Sequence, residues 1–252
     1  MNQIIEGIVQ GITEFLPISS SGHIVFLQKI AGFSSSNLAQ LQIALHLGTL
    51  LSIIVYYFKD IKGILLDSKN NSQLISFIFL GTLPLIFMYL FFYEPVKNIH
   101  NNIDLAFEVS TYCILVTGLI LLVTKFIDTG NKSLTYSVVI VIGLMQCLAI
   151  LPGISRSGIT ICSALILGVS SKDAAKFSFF LAIPAILGVG VLDFKDMLVN
   201  ESVSRFPYFA FITSFIVGYI SLRLLISIIY KGKLWYFSFY CFIIGLLTIF
   251  LF

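Results

Sequence analysis

Apolar stretches about 20 residues long recur along this chain, over roughly 38–58, 73–92, 104–124, 174–194, 208–229 and 234–252, with short charged loops between them. Each is about the length a helix needs to cross the ~30 Å hydrocarbon core of a bilayer. A water-soluble body has nowhere to hide so many such segments, and the polar residues needed to wrap them are missing. Of the 252 residues, 58% are hydrophobic and 11% are charged, where soluble domains carry about 25% charged residues. An integral membrane protein is expected, and an all-α one, since a helix satisfies its own backbone in hydrocarbon.

Two other apolar regions, about 3–32 and 134–169, are interrupted in the middle: by Pro17 with Ser19 to Gly22 in the first, and by Pro152 and Gly153 with Ser155 to Gly158 in the second. The pieces on either side hold roughly 10 to 16 residues, too short to cross comfortably as helices. They are expected to form re-entrant helix-loop-helix hairpins. Glu6 breaks the first apolar run and no basic leader precedes it, so residues 1–30 do not read as a signal peptide. Cys113, Cys147, Cys162 and Cys241 lie in apolar segments without metal-ligand spacing and read as small hydrophobes. A net charge of +3 with no basic stripe sets nucleic acid aside as a partner.

Sliding the sequence against itself by 136 residues aligns Gln10 with Gln146, Ile18 with Ile154, Ser19 with Ser155, Ser21 with Ser157 and Gly22 with Gly158. The match continues through Gly32 and Gly168, the Ser-Ser pairs at 34–35 and 170–171, and Phe-Lys-Asp at 58–60 and 194–196. Without a gap, 16 of the 51 positions from 10 to 60 are identical, against roughly 10% expected from biased composition. Each copy has one hairpin and three spans, an odd number of crossings, so the second copy must be inverted relative to the first. The expected fold is therefore an all-α polytopic membrane protein with an inverted-topology internal repeat, six transmembrane helices plus two re-entrant hairpins. It forms a single integral membrane domain over 1–252, with repeat 1 about 1–127 (hairpin 3–32) and repeat 2 about 133–252 (hairpin 134–169).

Inversion brings the two hairpins in from opposite faces, so their tips can meet near the midplane. In each, the second helix begins at the serine cluster, where unpaired amides and the positive end of the helix dipole favour an anion. The copies diverge where chemistry is at stake: Ser20 stands opposite Arg156, Glu14 opposite Ile150 and His23 opposite Ile159. Packing alone does not require that asymmetry, whereas a single site shared between the copies does.

These residues also carry a resemblance. Gln10, Glu14, Phe15, Leu16, Pro17, Ser19, Ser20, Gly22 and His23 match the pattern (E/Q)-x-x-x-E-F-L-P-x-S-S-x-G-H, and Pro152, Gly153, Ser155, Arg156, Ser157 and Thr160 match P-G-x-S-R-S-x-x-T. Both patterns, at this separation in a polytopic chain, resemble the undecaprenyl-diphosphate phosphatases of the BacA/UppP type, the bacitracin-resistance proteins. The resemblance implies a multi-pass enzyme of the bacterial cell membrane, with an active site opening to the outer face. Such an enzyme hydrolyses undecaprenyl diphosphate to undecaprenyl phosphate and inorganic phosphate, recycling the lipid carrier of peptidoglycan synthesis. A divalent cation, Mg2+ or Ca2+, is implied as well; a homodimer is compatible with the sequence. Position 10 holds Gln where the pattern allows Glu or Gln, which weakens a two-carboxylate metal clamp at 10 and 14. Glu6, one turn further along the same face, is the other candidate metal ligand beside Glu14.

Phosphoryl hydrolysis needs charge compensation on the nonbridging oxygens, an in-line nucleophile and help for the leaving group. The guanidinium of Arg156 fits the first need. Glu14, costly at membrane depth unless paired or facing a polar cavity, can activate a water or Ser20, ligate a cation, or simply tether Arg156. Ser20 and His23, three apart, are expected to face one another, with His23 as base toward the serine or acid toward the departing lipid phosphate. Serine and metal-bound water both stay open as nucleophile, and the resemblance favours Ser20. Gln10, Ser19, Ser21, Gly22, Gly153, Ser155, Ser157 and Thr160 are assigned to substrate binding, the serines doubling as helix caps.

Outside the hairpins, His46 is expected in an interhelical hydrogen bond, Glu108 at an interface and Arg223 snorkelling to the surface, while His100 lies in a loop. The rival function is a transporter or flippase of polyprenyl phosphate lipids, which would need the arginine and backbone donors but not the nucleophile and base. Most lysines fall with loops 59–72, 125–173 and 230–233 on one side, which the positive-inside rule puts in the cytoplasm with both termini outside.

Overall fold

The computed structural model describes residues 2–32, 38–128, 130–199 and 206–251. These form α1 (Asn2–Phe15), α2 (Ser20–Ala31), α3 (Leu38–Tyr56), α4 (Phe58–Leu66), α5 (Ser72–Asn101), α6 (Ile103–Val123), α7 (Tyr136–Gln146), α8 (Arg156–Ile166), α9 (Ser171–Val199), α10 (Tyr208–Tyr230) and α11 (Tyr236–Leu251). Among the described residues there is no sheet, only one isolated bridge between Lys132 and Val169. The protein is an all-α, multi-spanning membrane protein. Its outer surface is apolar, with Leu90 72% and Phe91 76% exposed on α5, a surface that suits lipid and not water.

Among the described residues five helices, α3, α5, α6, α9 and α10, are long and apolar enough to cross a bilayer. The sixth expected span, α11, has 16 residues, about 24 Å of helix, because Leu234 and Trp235 still belong to a turn and the helix begins at Tyr236. In the other direction, α5 runs on to Asn101 across Pro84 and Pro95, where the sequence reading ended it near 92. In hydrocarbon each lost backbone bond is costly, so the helix winds past Pro84 within the span, and beyond 92 it continues through Pro95 into a polar stretch with Glu94, Lys97 and Asn98. The loop expected over 59–72 contains α4. The Ser34–Ser35 part of the repeat lies outside the described residues.

Both interrupted regions fold as helix-loop-helix units. Helix α1 stops at Phe15, just before Leu16, which Pro17 excludes from helical geometry. Helix α7 tightens into one 3-10 turn over Cys147–Ile150 before Pro152 and Gly153. Helices α2 and α8 then start from matching caps: the Ser19 hydroxyl accepts from the Gly22 amide at 3.3 Å, and the Ser155 hydroxyl from the Gly158 amide at 3.1 Å.

The halves interlock. Helix α1 packs along α10 and α7 along α5, while α3 pairs with α9 and α6 with α11. Small residues permit this closeness: a Cβ on Gly7 would sit 2.9 Å from the Ala210 carbonyl, and one on Gly143 only 2.6 Å from the Gly81 carbonyl. The core fills the space behind the hairpin tips, where the fully buried Phe15 packs edge-on against Phe179 of α9 at 6.0 Å.

Candidate active site

The two tips touch through backbone. A Cβ on Gly22 would come within 3.1 Å of Gly153 Cα, and Gly153 adopts φ 97° against Ser110 of α6. The Thr117 hydroxyl clips the second tip to α6, donating to the Gly153 carbonyl at 2.9 Å and accepting from the Ser155 amide at 3.1 Å. Ser157 donates to the Phe15 carbonyl at 2.9 Å, sewing α8 to the end of α1. Two helix N-termini are thereby fixed beside each other.

Glu14 is the hub. Its Oε1 accepts from Arg156 Nη2 at 2.9 Å, and its Oε2 accepts from the Ser20 hydroxyl at 2.6 Å and from the Gln10 amide at 3.1 Å. The carboxylate from one tip and the guanidinium from the other are thus directly paired, with side chains only 8% and 15% exposed. Arg156 Nη1 is buried and has no partner among the described residues, so half of the donor fork is available to a ligand oxygen. Ser19, which opens α2, sits at φ 71°, a left-handed conformation among the described residues otherwise confined to glycines. Strain of this kind gathers where a ligand or reaction is handled.

His23 departs from its expected place. Its Nδ1 lies 2.7 Å from the Ser19 carbonyl, which can only accept, so this nitrogen carries the proton in the neutral ring. Nε2 then accepts from the Tyr240 hydroxyl at 2.8 Å, with the rings stacked at 5.6 Å. Ser20 is therefore paired with Glu14 and not with His23. Thr160 also turns away, its hydroxyl bonding Ser178 at 2.7 Å and the Arg156 carbonyl at 2.8 Å. Ser21 reaches the Ser19 hydroxyl at 3.3 Å. Sequence reasoning missed Tyr240 and Thr117, which lie in ordinary apolar helices, and Gln146, wholly buried with both amide atoms unpartnered among the described residues. For Gln146 a signal existed in its repeat alignment with Gln10.

No three His, Cys, Asp or Glu residues gather as a metal cage among the described residues. Glu6 is buried two helical turns from Glu14, about 12 Å along α1, so the two do not share an ion. Glu14 alone fits an ion held by one carboxylate plus ligand phosphates, the usual habit of Mg2+. Elsewhere, His46 Nδ1 is buried without a partner among the described residues, Glu108 and Arg223 are exposed, and His100 Nδ1 bonds the Val96 carbonyl within α5.

Paired helix N-termini, a carboxylate-bound serine and a half-free arginine inside an apolar helix assembly define a membrane protein built to handle an anionic group. The chain belongs to the bacitracin resistance protein BacA family, whose model matches residues 3–247. It is similar to the undecaprenyl-diphosphatase of Carboxydothermus hydrogenoformans, 40% identical over 96% of this chain and 93% of the relative. It is also similar to those of Halothermothrix orenii, 34% identical over 97% and 95%, and Methanococcus vannielii, 34% identical over 99% of each.

Proposed function

We propose that this protein hydrolyses undecaprenyl diphosphate to undecaprenyl phosphate and inorganic phosphate, returning the lipid carrier to use in envelope synthesis. The observation that carries this reading is the line Ser20, Glu14, Arg156, a nucleophile on a base beside a cation. Glu14 takes the Ser20 proton as Oγ attacks the terminal phosphorus; the bond to the bridging oxygen breaks, lipid phosphate leaves, and water then hydrolyses the phosphoserine. Arg156 Nη1 and the first amides of α2 and α8 hold the nonbridging oxygens. A divalent cation, Mg2+ or Ca2+, would be held by Glu14 with the Gln10 amide and would neutralise diphosphate charge.

The reading includes an inverted repeat, 1–127 against 133–252, with α11 as a short sixth span and the site opening to the outer face of a bacterial membrane. Supporting it, Gly7 and Gly143 stand 136 residues apart and let corresponding helices pack closely, α1 on α10 and α7 on α5, and the two serine caps match. The test is phosphate release by purified protein in detergent. E14A and R156A are expected to lose about 10²-fold or more in kcat, and S20A likewise. Wild-type activity in E14A and R156A would overturn the roles, while metal-dependent turnover kept by S20A would assign the attack to water.

A further inference from the structure

A cavity of about 540 Å³ opens between α1, α10 and α11. Its walls are mainly apolar, chiefly Val9, Ile12, Leu16, Ile228 and Phe237, with His23, Tyr240 and Lys233 also in the lining, and His23 and Tyr240 mark the end of interest. That end adjoins the candidate active site. Thr13 adjoins Glu14 on α1, Leu16 follows just past the end of that helix, Ile18 precedes the strained Ser19, and His23 lies one turn beyond Ser20, yet all four side chains line the cavity. Stacking and hydrogen bonding hold His23 against Tyr240, and Nε2 is already satisfied by the tyrosine hydroxyl. The pair thus forms a polar lip with the anion cradle on one side and hydrocarbon-like walls on the other.

We propose that this cavity is the binding site for the phosphate-proximal isoprene units of the substrate, with Tyr240 as a positioning residue that fixes His23 at the junction of chain and headgroup. This rests on the diphosphatase reading above. An amphiphile whose diphosphate sits at Arg156 has to lead its chain away from the cradle, and a cavity with a shared wall receives it against mainly apolar side chains, Lys233 being the one Lys, Arg, Asp or Glu in the lining. The volume falls in the range of small-ligand sites, about 300–1,000 Å³. It therefore takes the first part of a long chain, and the remainder lies in the bilayer. Selectivity should then depend on the proximal units and level off once the cavity is filled.

The test compares isoprenyl diphosphates of one, three and eleven units in detergent, using the ratio of kcat/KM between lengths so that the active fraction cancels. Wild type should prefer three units over one by about tenfold or more, with little further gain at eleven. I12W and, independently, V9F should lose most of that preference by filling the cavity, mainly through KM for the longer chains. A three-unit diphosphate bearing a diazirine on its first unit should cross-link wild type within α1 or the first turns of α11. Unchanged preference in both variants, or label confined to other helices, overturns the proposal. Absence of phosphate release from every substrate by wild type would instead strike the diphosphatase reading beneath it.

Discussion

Glu14 and Arg156 are the closest thing in this protein to a single point of control, because each is largely buried and answers the other's charge. Removing one partner of a buried pair strands the other and costs about 3–5 kcal/mol, whereas replacing both with apolar groups is often close to neutral. E14A and R156A should each lower the thermal midpoint in detergent, and E14L/R156L should recover at least half of that loss while phosphate release stays about 10²-fold or more below wild type in all three. Additive losses in the double variant would show that the pair is not coupled. The pairing was legible in sequence because the repeat sets Glu14 and Arg156 against residues of different chemistry. The position of His23 was not, because Tyr240 lies 217 residues away. Nothing in an aromatic on an apolar helix marks it as a hydrogen-bond donor to a particular ring.

At the scale of elements, the interruptions in the two apolar regions were the most informative part of the sequence: proline stopped a helix and serine began another at the places the hairpins required. Helix ends were less legible: α5 runs through Pro95 to Asn101 although its apolar stretch ends near 92, and a proline removes only one intrahelical bond. The second tip depends on backbone that only glycine readily adopts. A Cβ on Gly153 would face both φ 97° and a carbonyl at 2.5 Å, a conformational strain of about 1–3 kcal/mol before the clash is counted. G153A is expected to lose most activity and several degrees of thermal midpoint. G188A in α9, where nothing lies within 4 Å of the added methyl, should be neutral or stabilising by up to about 1 kcal/mol. Equal behaviour of the two would remove the special standing given to the tip.

For the whole molecule, the side of the membrane on which each end lies follows from charge and not from packing. Under the orientation that the charge distribution proposes, with both termini outside, an impermeant thiol reagent added to intact cells should label N2C but not K231C in a cysteine-free background; the opposite pattern would invert the arrangement. Interlocking has a further consequence, for biosynthesis. Gly7 and Gly11 of α1 lie against the backbone of α10, which begins only at Tyr208. Helix α1, which bears Glu14, rests on α2 and α3 as well, yet its most extensive partner follows it by most of the length of the chain. Between the synthesis of α1 and that of α8, the nascent chain carries its reactive carboxylate without the arginine that answers it.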